Sequence, residues 1–114
     1  MHIHEDTVPV CGHHLHVQQL THANEMDTTR PVLVFLHEGL GCVRLWRGFP
    51  CVLAQRVGLD ALVYDRVGHG ASSPLTGART TAYLHEEAQI LPVVLEACGV
   101  DRAILIGHSD GGSI

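Results

Sequence analysis

The sequence has no long apolar run, few aromatic side chains and no excess of positive charge. No apolar run approaches the roughly 20 residues that span a bilayer. The N-terminal MHIHEDTVPV has neither the positively charged region nor the apolar region of a signal peptide. Seven lysines and arginines stand against twelve aspartates and glutamates, so the net charge is −5 and no basic stripe is available for phosphates. We therefore expect a cytoplasmic protein with no nucleic-acid and no membrane partner.

Metal-binding and disulfide patterns are missing as well. Four cysteines show no Cys-x-x-Cys spacing: Cys11, Cys42, Cys51 and Cys98. Without an export signal we expect them to be reduced. The chain has 10 histidines, and His14 and His16 would share one face of a strand. Because no ligand set of a recognised spacing accompanies them, we predict no metal and no cofactor.

What the sequence contains is an alternation of short apolar runs with helical patterns. VPVCGHHLHVQQL is typical of two strands joined by a glycine turn. Three continuous apolar runs are typical of strands buried on both faces: Pro31–His37, Ala61–Asp65 and Ala103–Gly107.

Two helices are predicted between the later strands. The first spans about Trp46 to Val57 and ends at Gly58. The second lies in TTAYLHEEAQILPVVLEACGV and ends at Gly99, with Pro92 removing a backbone bond or kinking it. Its apolar residues form one stripe: Leu84, Ala88, Leu91, Leu95 and Cys98. The alternation predicts an α/β fold with a mostly parallel, doubly wound sheet and helices on both faces.

The last apolar run is followed at once by Gly107-His108-Ser109-Asp110-Gly111. A serine nucleophile needs its hydroxyl exposed at the carboxyl end of a sheet, and a sharp strand-to-helix turn achieves this by straining the backbone. The residues two before and two after the serine must then have very small side chains, and glycine occupies both positions, Gly107 and Gly111. The turn also leaves backbone N–H groups unpaired, so the N–H of Asp110 can stabilise an oxyanion. The alternative is a glycine-rich turn that binds phosphate or nothing, although no P-loop or dinucleotide fingerprint is present.

Two further stretches accompany this turn: VFLHEGLG after the first buried run and VYDRVGHGASS after the second. With GHSDGGS they resemble the N-terminal half of an α/β-hydrolase, and the resemblance covers nearly the whole chain. In that family the loop after the fourth strand reads Asp-x-x-Gly-x-Gly-x-Ser. Asp65, Gly68, Gly70 and Ser72 match that pattern in full.

The resemblance implies a role for several residues. Ser109 is the nucleophile, the N–H of Asp110 is one oxyanion donor and the N–H of Gly39 is the other. The family commonly has glycine directly after the histidine of this loop, where the chain has Glu38. Glu38 either points away from the site or brings a charge that opposes the oxyanion.

Three more residues receive structural roles from the same resemblance. His37 would orient its loop, and Asp65 and Arg66 would hold the turn after the second buried run. A local ion pair between Asp65 and Arg66 is the ordinary interpretation of such a pair beside a turn.

The resemblance also implies that the catalytic acid and base follow the nucleophile in the chain. Only five residues follow Ser109, so residues 1–114 are expected to be the N-terminal part of one incomplete domain. An upstream base (His37, His69, His85 or His108) is disfavoured because nothing in the spacing orients it. Ala103–Gly107 would be an edge strand, and the chain alone would be marginally stable or poorly soluble.

The full-length protein is accordingly predicted to be a serine hydrolase that acts through an acyl-enzyme. Its substrate would be a small-molecule ester, thioester, lactone or related carbonyl compound, and the 114 residues alone would be inactive. Dehalogenases and epoxide hydrolases of this family carry aspartate at the elbow, so Ser109 argues against those reactions. The alternative is a non-catalytic pseudo-hydrolase or a truncated fragment that only binds.

Overall fold

The computed structural model describes residues 1–37, 42, 46–66, 70, 72 and 83–114, and only the backbone of residues 83, 84 and 110. Five strands, two helices and a short 3₁₀ helix follow one another along the chain. They are β1 His2–Val10, β2 His13–Thr21, β3 Val32–Leu36, α1 Phe49–Val57, β4 Ala61–Tyr64, α2 Tyr83–Ala97, β5 Ala103–Gly107 and the 3₁₀ helix Ser109–Ser113.

The strands form one sheet in the order β1-β2-β4-β3-β5. The hairpin β1–β2 joins the sheet through an antiparallel pairing of β2 with β4, whereas β3 pairs in parallel with both β4 and β5. The predicted α/β architecture is confirmed. The sheet is mixed, because the hairpin adds two antiparallel pairings to the two parallel ones.

The two helices cover opposite faces of the sheet. Successive side chains of a strand point to opposite faces, so β3 contributes to two separate cores. On one face Ala54 of α1 packs in a cluster with Leu20, Leu33, Phe35, Ala61 and Val63. On the other face α2 packs against a cluster that includes Val32, Val34, Leu62 and Tyr64. Each large apolar side chain buried in this way contributes about 2 kcal/mol of transfer free energy.

Helix α1 ends where the sequence predicts but begins later. Gly58 is left-handed, with φ of 72°, and its N–H donates to the carbonyl of Ala54 at 2.9 Å. The predicted start at Trp46 is wrong by three residues, since the helix begins at Phe49. Gly48 is the N-cap and Pro50 occupies the first turn, where a missing N–H costs nothing.

Helix α2 runs through Pro92, whose side chain faces solvent. Gly99 is left-handed with φ of 71° and ends the helix, and the N–H of Val100 donates to the carbonyl of Leu95.

The buried face of α2 differs from the predicted stripe. Leu91 and Val94 are buried in the core beside the sheet, together with the charged Glu87. The predicted members Ala88, Leu95 and Cys98 are only partly buried. Val94, which the predicted stripe leaves out, is fully buried in the core.

Strand β5 corrects the expectation that all three apolar runs are buried. It lies at the edge of the sheet and pairs with β3 alone among the described strands. Ile104 and Leu105 are 45% and 50% exposed. The expectation of an edge position is confirmed. Burial on both faces is wrong, because only Ala103 and Ile106 of the strand pack against the two cores, and they are partly buried.

Two further findings concern the whole of the described chain. All four cysteines are free thiols. Neither helix in the described ranges is long and apolar enough to cross a membrane.

Candidate active site

Ser109 occupies the sharp turn that the sequence predicts. It follows β5 after a single extended residue, His108, and it opens the 3₁₀ helix Ser109–Ser113. Its φ is +56°, in the left-handed region that costs a residue with a β-carbon about 1–2 kcal/mol. Its side chain is exposed. The surrounding structure therefore holds a serine in a strained conformation that presents its hydroxyl outward.

The glycines two residues before and two residues after Ser109 have no room for a β-carbon. A β-carbon on Gly107 would lie 2.5 Å from the backbone nitrogen of Gly112, and one on Gly111 would lie 2.6 Å from the carbonyl oxygen of His37. The carbonyl oxygen of Leu36 is closer still to that second position. Backbone atoms cannot yield as a flexible side chain can. The turn is thus packed against itself and against the carboxyl end of β3.

Some backbone N–H groups of the turn donate to nearby carbonyls, and others have no carbonyl of the same 3₁₀ helix to bond. The N–H of His108 donates to the carbonyl of Leu36 at 3.0 Å, and the N–H of Gly111 donates to the carbonyl of His108 at 3.0 Å. Asp110 is the second residue of the 3₁₀ helix, where N–H groups have no earlier carbonyl of the same helix to bond. Its position suits the predicted oxyanion donor. Gly39, the second predicted donor, and Glu38 lie outside the described residues.

His37 links the two loops beside the turn. Its ring is 2% exposed, and its Nε2 accepts a hydrogen bond from the backbone N–H of Arg66 at 3.0 Å. A ring nitrogen that accepts carries no proton, so in the neutral ring the proton is on Nδ1. This geometry matches the structural role that the resemblance implies for His37, because the ring connects the end of β3 to the end of β4.

Asp65 is the centre of a buried polar network. Its carboxylate is 2% exposed, and Oδ2 lies 2.7 Å from Nδ1 of His16. Ser72 Oγ donates to the carbonyl of Asp65 at 2.5 Å and accepts from the N–H of His16 at 2.8 Å. A β-carbon on Gly70, whose φ is +50°, would lie 2.5 Å from the same carboxylate. Contacts with Asp65 thus account for two other residues of the pattern, Gly70 and Ser72. Gly68 lies outside the described residues.

His16 is the residue of this network that the sequence did not indicate. The sequence offers His16 only as a metal ligand together with His14, and within the described ranges no group of three or more potential ligands is placed to hold a metal. Its second ring nitrogen, Nε2, lies 3.2 Å from Glu5 Oε1 on the neighbouring strand. The missing information was the register of β2 against β4, which sets the carbonyl of His16 against the N–H of Asp65 at 2.9 Å.

None of the upstream histidines that the structure describes is hydrogen-bonded to Ser109. His37 is bonded to Arg66, His85 is on an exposed position of α2, and the ring of His108 lies 6.2 Å from that of Trp46. No side-chain hydrogen bond joins Ser109 to another residue in the described part of the chain. His69 lies outside that part.

A small cleft at the opposite end of the sheet has a structural explanation. It encloses about 120 Å³ beside the residues that precede β4. Its carboxylate, Asp60, is 5% exposed and accepts hydrogen bonds from the backbone N–H groups of His22 and Asp27 at 2.9 and 2.7 Å. This end of the molecule carries loop-fixing contacts, whereas the turn of Ser109 lies at the carboxyl ends of the parallel strands.

A mixed sheet covered on both faces, with a strained serine at the carboxyl end of β5, defines the class of this protein. The family model described as the alpha/beta hydrolase fold matches residues 31–114. The chain belongs to the α/β-hydrolase family.

Individual relatives fall within the same class. The chain is 31% identical over 86 residues to the sn-1-specific diacylglycerol lipase ABHD11 of Mus musculus, a match that covers 75% of this chain. A predicted CIB-like hydrolase from Thermoplasma acidophilum has a TM-score of 0.81 at 21% identity, over 99% of this chain and 54% of that one. An epoxide hydrolase from Vigna radiata has a TM-score of 0.77 at 24% identity, over 97% of this chain and 33% of that one. At such identities the two solved structures show the fold alone.

The chain is much shorter than the relative whose sequence it matches. It spans 27% of the length of the mouse lipase.

Proposed function

We propose that residues 1–114 are part of a larger serine hydrolase whose nucleophile is Ser109. The observation that carries this proposal is the φ of +56° at Ser109, an exposed serine held between two glycines that have no room for a β-carbon. A protein has no structural need for a serine in this conformation, where glycine would be unstrained. Strain that persists at a polar, exposed residue supports a functional role.

In the proposed reaction Ser109 Oγ attacks the carbonyl carbon of an ester, thioester or lactone. A base removes the hydroxyl proton as the bond forms, and the oxyanion is stabilised by the N–H groups of Asp110 and Gly39. Collapse of the tetrahedral intermediate passes the proton to the leaving group and leaves an acyl-enzyme. Water then attacks the acyl-enzyme through the same base and releases the carboxylic acid.

The base and its orienting acid are proposed to lie outside residues 1–114. Support comes from the described upstream histidines, none of which is hydrogen-bonded to Ser109, and from the greater length of the mouse lipase. The 114 residues alone are therefore proposed to be inactive. No cofactor is required, because side chains, backbone N–H groups and water supply the chemistry.

The substrate class is proposed to be a carboxylic ester, including the ester of a lipid. The mouse relative is named as a lipase of diacylglycerol, which is an ester substrate of this kind. Neighbours of known structure include an epoxide hydrolase, but their identity is too low to carry a reaction. Ser109, rather than aspartate, favours an acyl-enzyme over an alkyl-enzyme.

The proposal is tested by pre-steady-state hydrolysis of a chromogenic acyl ester by the full-length protein. We expect a burst of alcohol product that matches the enzyme concentration, followed by slower turnover. Ser109→Ala should abolish the burst and lower kcat by about a thousandfold or more. Ser113→Ala is the matched control, since Ser113 closes the same 3₁₀ helix and has no proposed chemical role. A folded full-length protein without a burst would favour the alternative, a pseudo-hydrolase that only binds.

A further inference from the structure

The network around His16 connects the N-terminal hairpin to the proposed active site. Both ring nitrogens of His16 face carboxylate oxygens: Nδ1 at 2.7 Å from Asp65 and Nε2 at 3.2 Å from Glu5. An ionised carboxylate only accepts hydrogen bonds, so each contact is a hydrogen bond when the facing nitrogen carries a proton. With both made, His16 acts as a double donor that links Glu5 of β1 to Asp65, the residue that follows β4.

The two contacts differ in strength because they differ in exposure. The Asp65 side chain is 2% exposed and that of His16 is 16% exposed, whereas Glu5 is 59% exposed. Water and salt screen the outer contact, while the inner contact is charge-assisted and short. His16 is therefore held mainly by Asp65, and it holds Asp65 in return.

From Asp65 the contacts lead to the turn of the nucleophile. The next residue, Arg66, donates its backbone N–H to Nε2 of the buried His37. The carbonyl of His37 is one of the atoms that leave no room for a β-carbon at Gly111. The path from His16 thus passes through packed or hydrogen-bonded groups to a glycine two residues from Ser109.

We propose that His16 is a positioning residue of the active site. It fixes the carboxylate of Asp65 and, through Arg66 and His37, the end of β3 against which the turn of Ser109 packs. His16 touches neither the substrate nor the reacting atoms. The proposal rests on the proposed function in one respect, since the reaction that it assists is the acylation of Ser109.

The test compares a replacement that keeps a donor with one that has none, both in the full-length protein. The amide nitrogen of His16→Asn lies the same number of bonds from the backbone as Nδ1 of His16, so it can donate to Asp65, whereas His16→Met has no donor. Small displacements in an active site cost up to about a hundredfold in rate, so we expect His16→Met to lower kcat roughly tenfold or more. KM should change less than about twofold, because the acyl substrate does not contact this region, and His16→Asn should restore most of kcat. His14→Phe, a change at an exposed residue two positions earlier on the same strand, should leave kcat unchanged.

A second readout does not depend on catalysis. The backbone N–H of Arg66 is bonded to His37, so its hydrogen exchange reports the link between the two loops. We expect the exchange of the Arg66 amide to accelerate at least tenfold in folded His16→Met, while the amide of Val63 within β4 keeps its protection. If His16→Met fails to fold, His16→Leu replaces it, because leucine has the branching of asparagine but no donor.

Each outcome decides the proposal. Loss of kcat in His16→Met with rescue in His16→Asn supports it, as does faster exchange at Arg66. Wild-type kcat in folded His16→Met, or an equal loss in both variants, overturns it. A wild-type protein that shows no acyl-enzyme refutes the proposed hydrolase function, and the exchange at Arg66 then decides alone whether His16 holds the loop.

Discussion

Strands β3 and β5 look alike in sequence but occupy different environments. Both are short aliphatic runs, VLVFL and AILIG, and they pair with each other in parallel. Every residue of β3 is at most 3% exposed, whereas Ile104 and Leu105 of β5 are about half exposed. Since β3 has a strand on each side and a helix over each face, the comparison shows that an apolar run predicts a strand and not its place in the sheet.

The two strands meet at their carboxyl ends, where the candidate active site lies. The turn after β5 packs its glycines against the last carbonyls of β3. The buried strand β3 therefore supports the turn, and the strained Ser109 follows the edge strand β5. The following predictions test this division, beginning with the largest expected effect.

The contact between the strand ends is broken most directly by Gly111→Ala. A β-carbon there would overlap the carbonyls of Leu36 and His37, so we expect a loss of about 3 kcal/mol or more in the free energy of unfolding. Gly112→Ala is the matched control, because the nearest atom to its β-carbon is the carbonyl oxygen of Gly107 at 3.9 Å. Urea denaturation of both variants measures the difference, and equal losses would show that the close approach is absent.

The difference in burial is tested with one residue type in the two strands. Leu33 is 3% exposed and Leu105 is 50% exposed. In the 114-residue chain we expect Leu33→Ala to lower the free energy of unfolding by about 3 kcal/mol and Leu105→Ala to lower it by about 0.5 kcal/mol. Urea midpoints of the two variants give the comparison. Similar costs would mean that β5 is covered as fully as β3.

The buried centre of the sheet also contains a phenol whose ionisation is suppressed. Burial raises the pKa of Tyr64 far above its usual value of 10.0, Glu87 raises it further and Arg66 lowers it. The native state therefore keeps the proton when the unfolded chain loses it, so Tyr64 makes stability fall as the pH rises above about 10. Tyr64→Phe should flatten this alkaline limb in unfolding measurements between pH 8 and 11. An unchanged limb would contradict the burial of the hydroxyl.

At neutral pH the same substitution should change stability by less. The Tyr64 hydroxyl has no hydrogen-bond partner among the described residues, so its removal should be neutral or stabilising by about 1 kcal/mol. A loss of more than that amount would reveal a bond to the hydroxyl.

The smallest effect on stability is expected at the exposed edge. Lysines on an edge strand oppose pairing between chains, so Ile104→Lys with Leu105→Lys should raise the soluble yield of the 114-residue chain. Its unfolding free energy should change by about 0.5 kcal/mol or less. Soluble fractions after expression measure the effect, with Val34→Lys in the buried strand as a control that should abolish folding. Unchanged solubility would mean that the edge of β5 does not drive association.

Much of the fold was predictable because its signals are local. The apolar runs predict the hairpin and the three later strands. The positions of Gly58 and Gly99 predict where the two helices end, and both glycines are left-handed in the structure. The rest depends on tertiary contacts. Periodicity alone could not show that Val94 is the residue of α2 that packs most deeply, or that β5 lies at an edge.

The candidate site likewise has one part that the sequence predicts and another part that depends on tertiary contacts. The spacing of Gly107 and Gly111 around Ser109 predicts a sharp turn with no room for a β-carbon at the two glycines, and both glycines lack that room in the structure. His16 was out of reach, because only the pairing of β2 with β4 brings a residue 49 positions away beside Asp65. A contact that depends on strand register has no signature in one sequence.

The most direct test of the central claim is the reaction of the full-length protein with a fluorophosphonate, followed by peptide mass mapping. We predict one covalent adduct, on Ser109, that disappears in Ser109→Ala and persists in Ser113→Ala. A folded full-length protein that forms no adduct, or forms one on a different serine, would contradict the assignment of the strained turn after β5 as the nucleophile site.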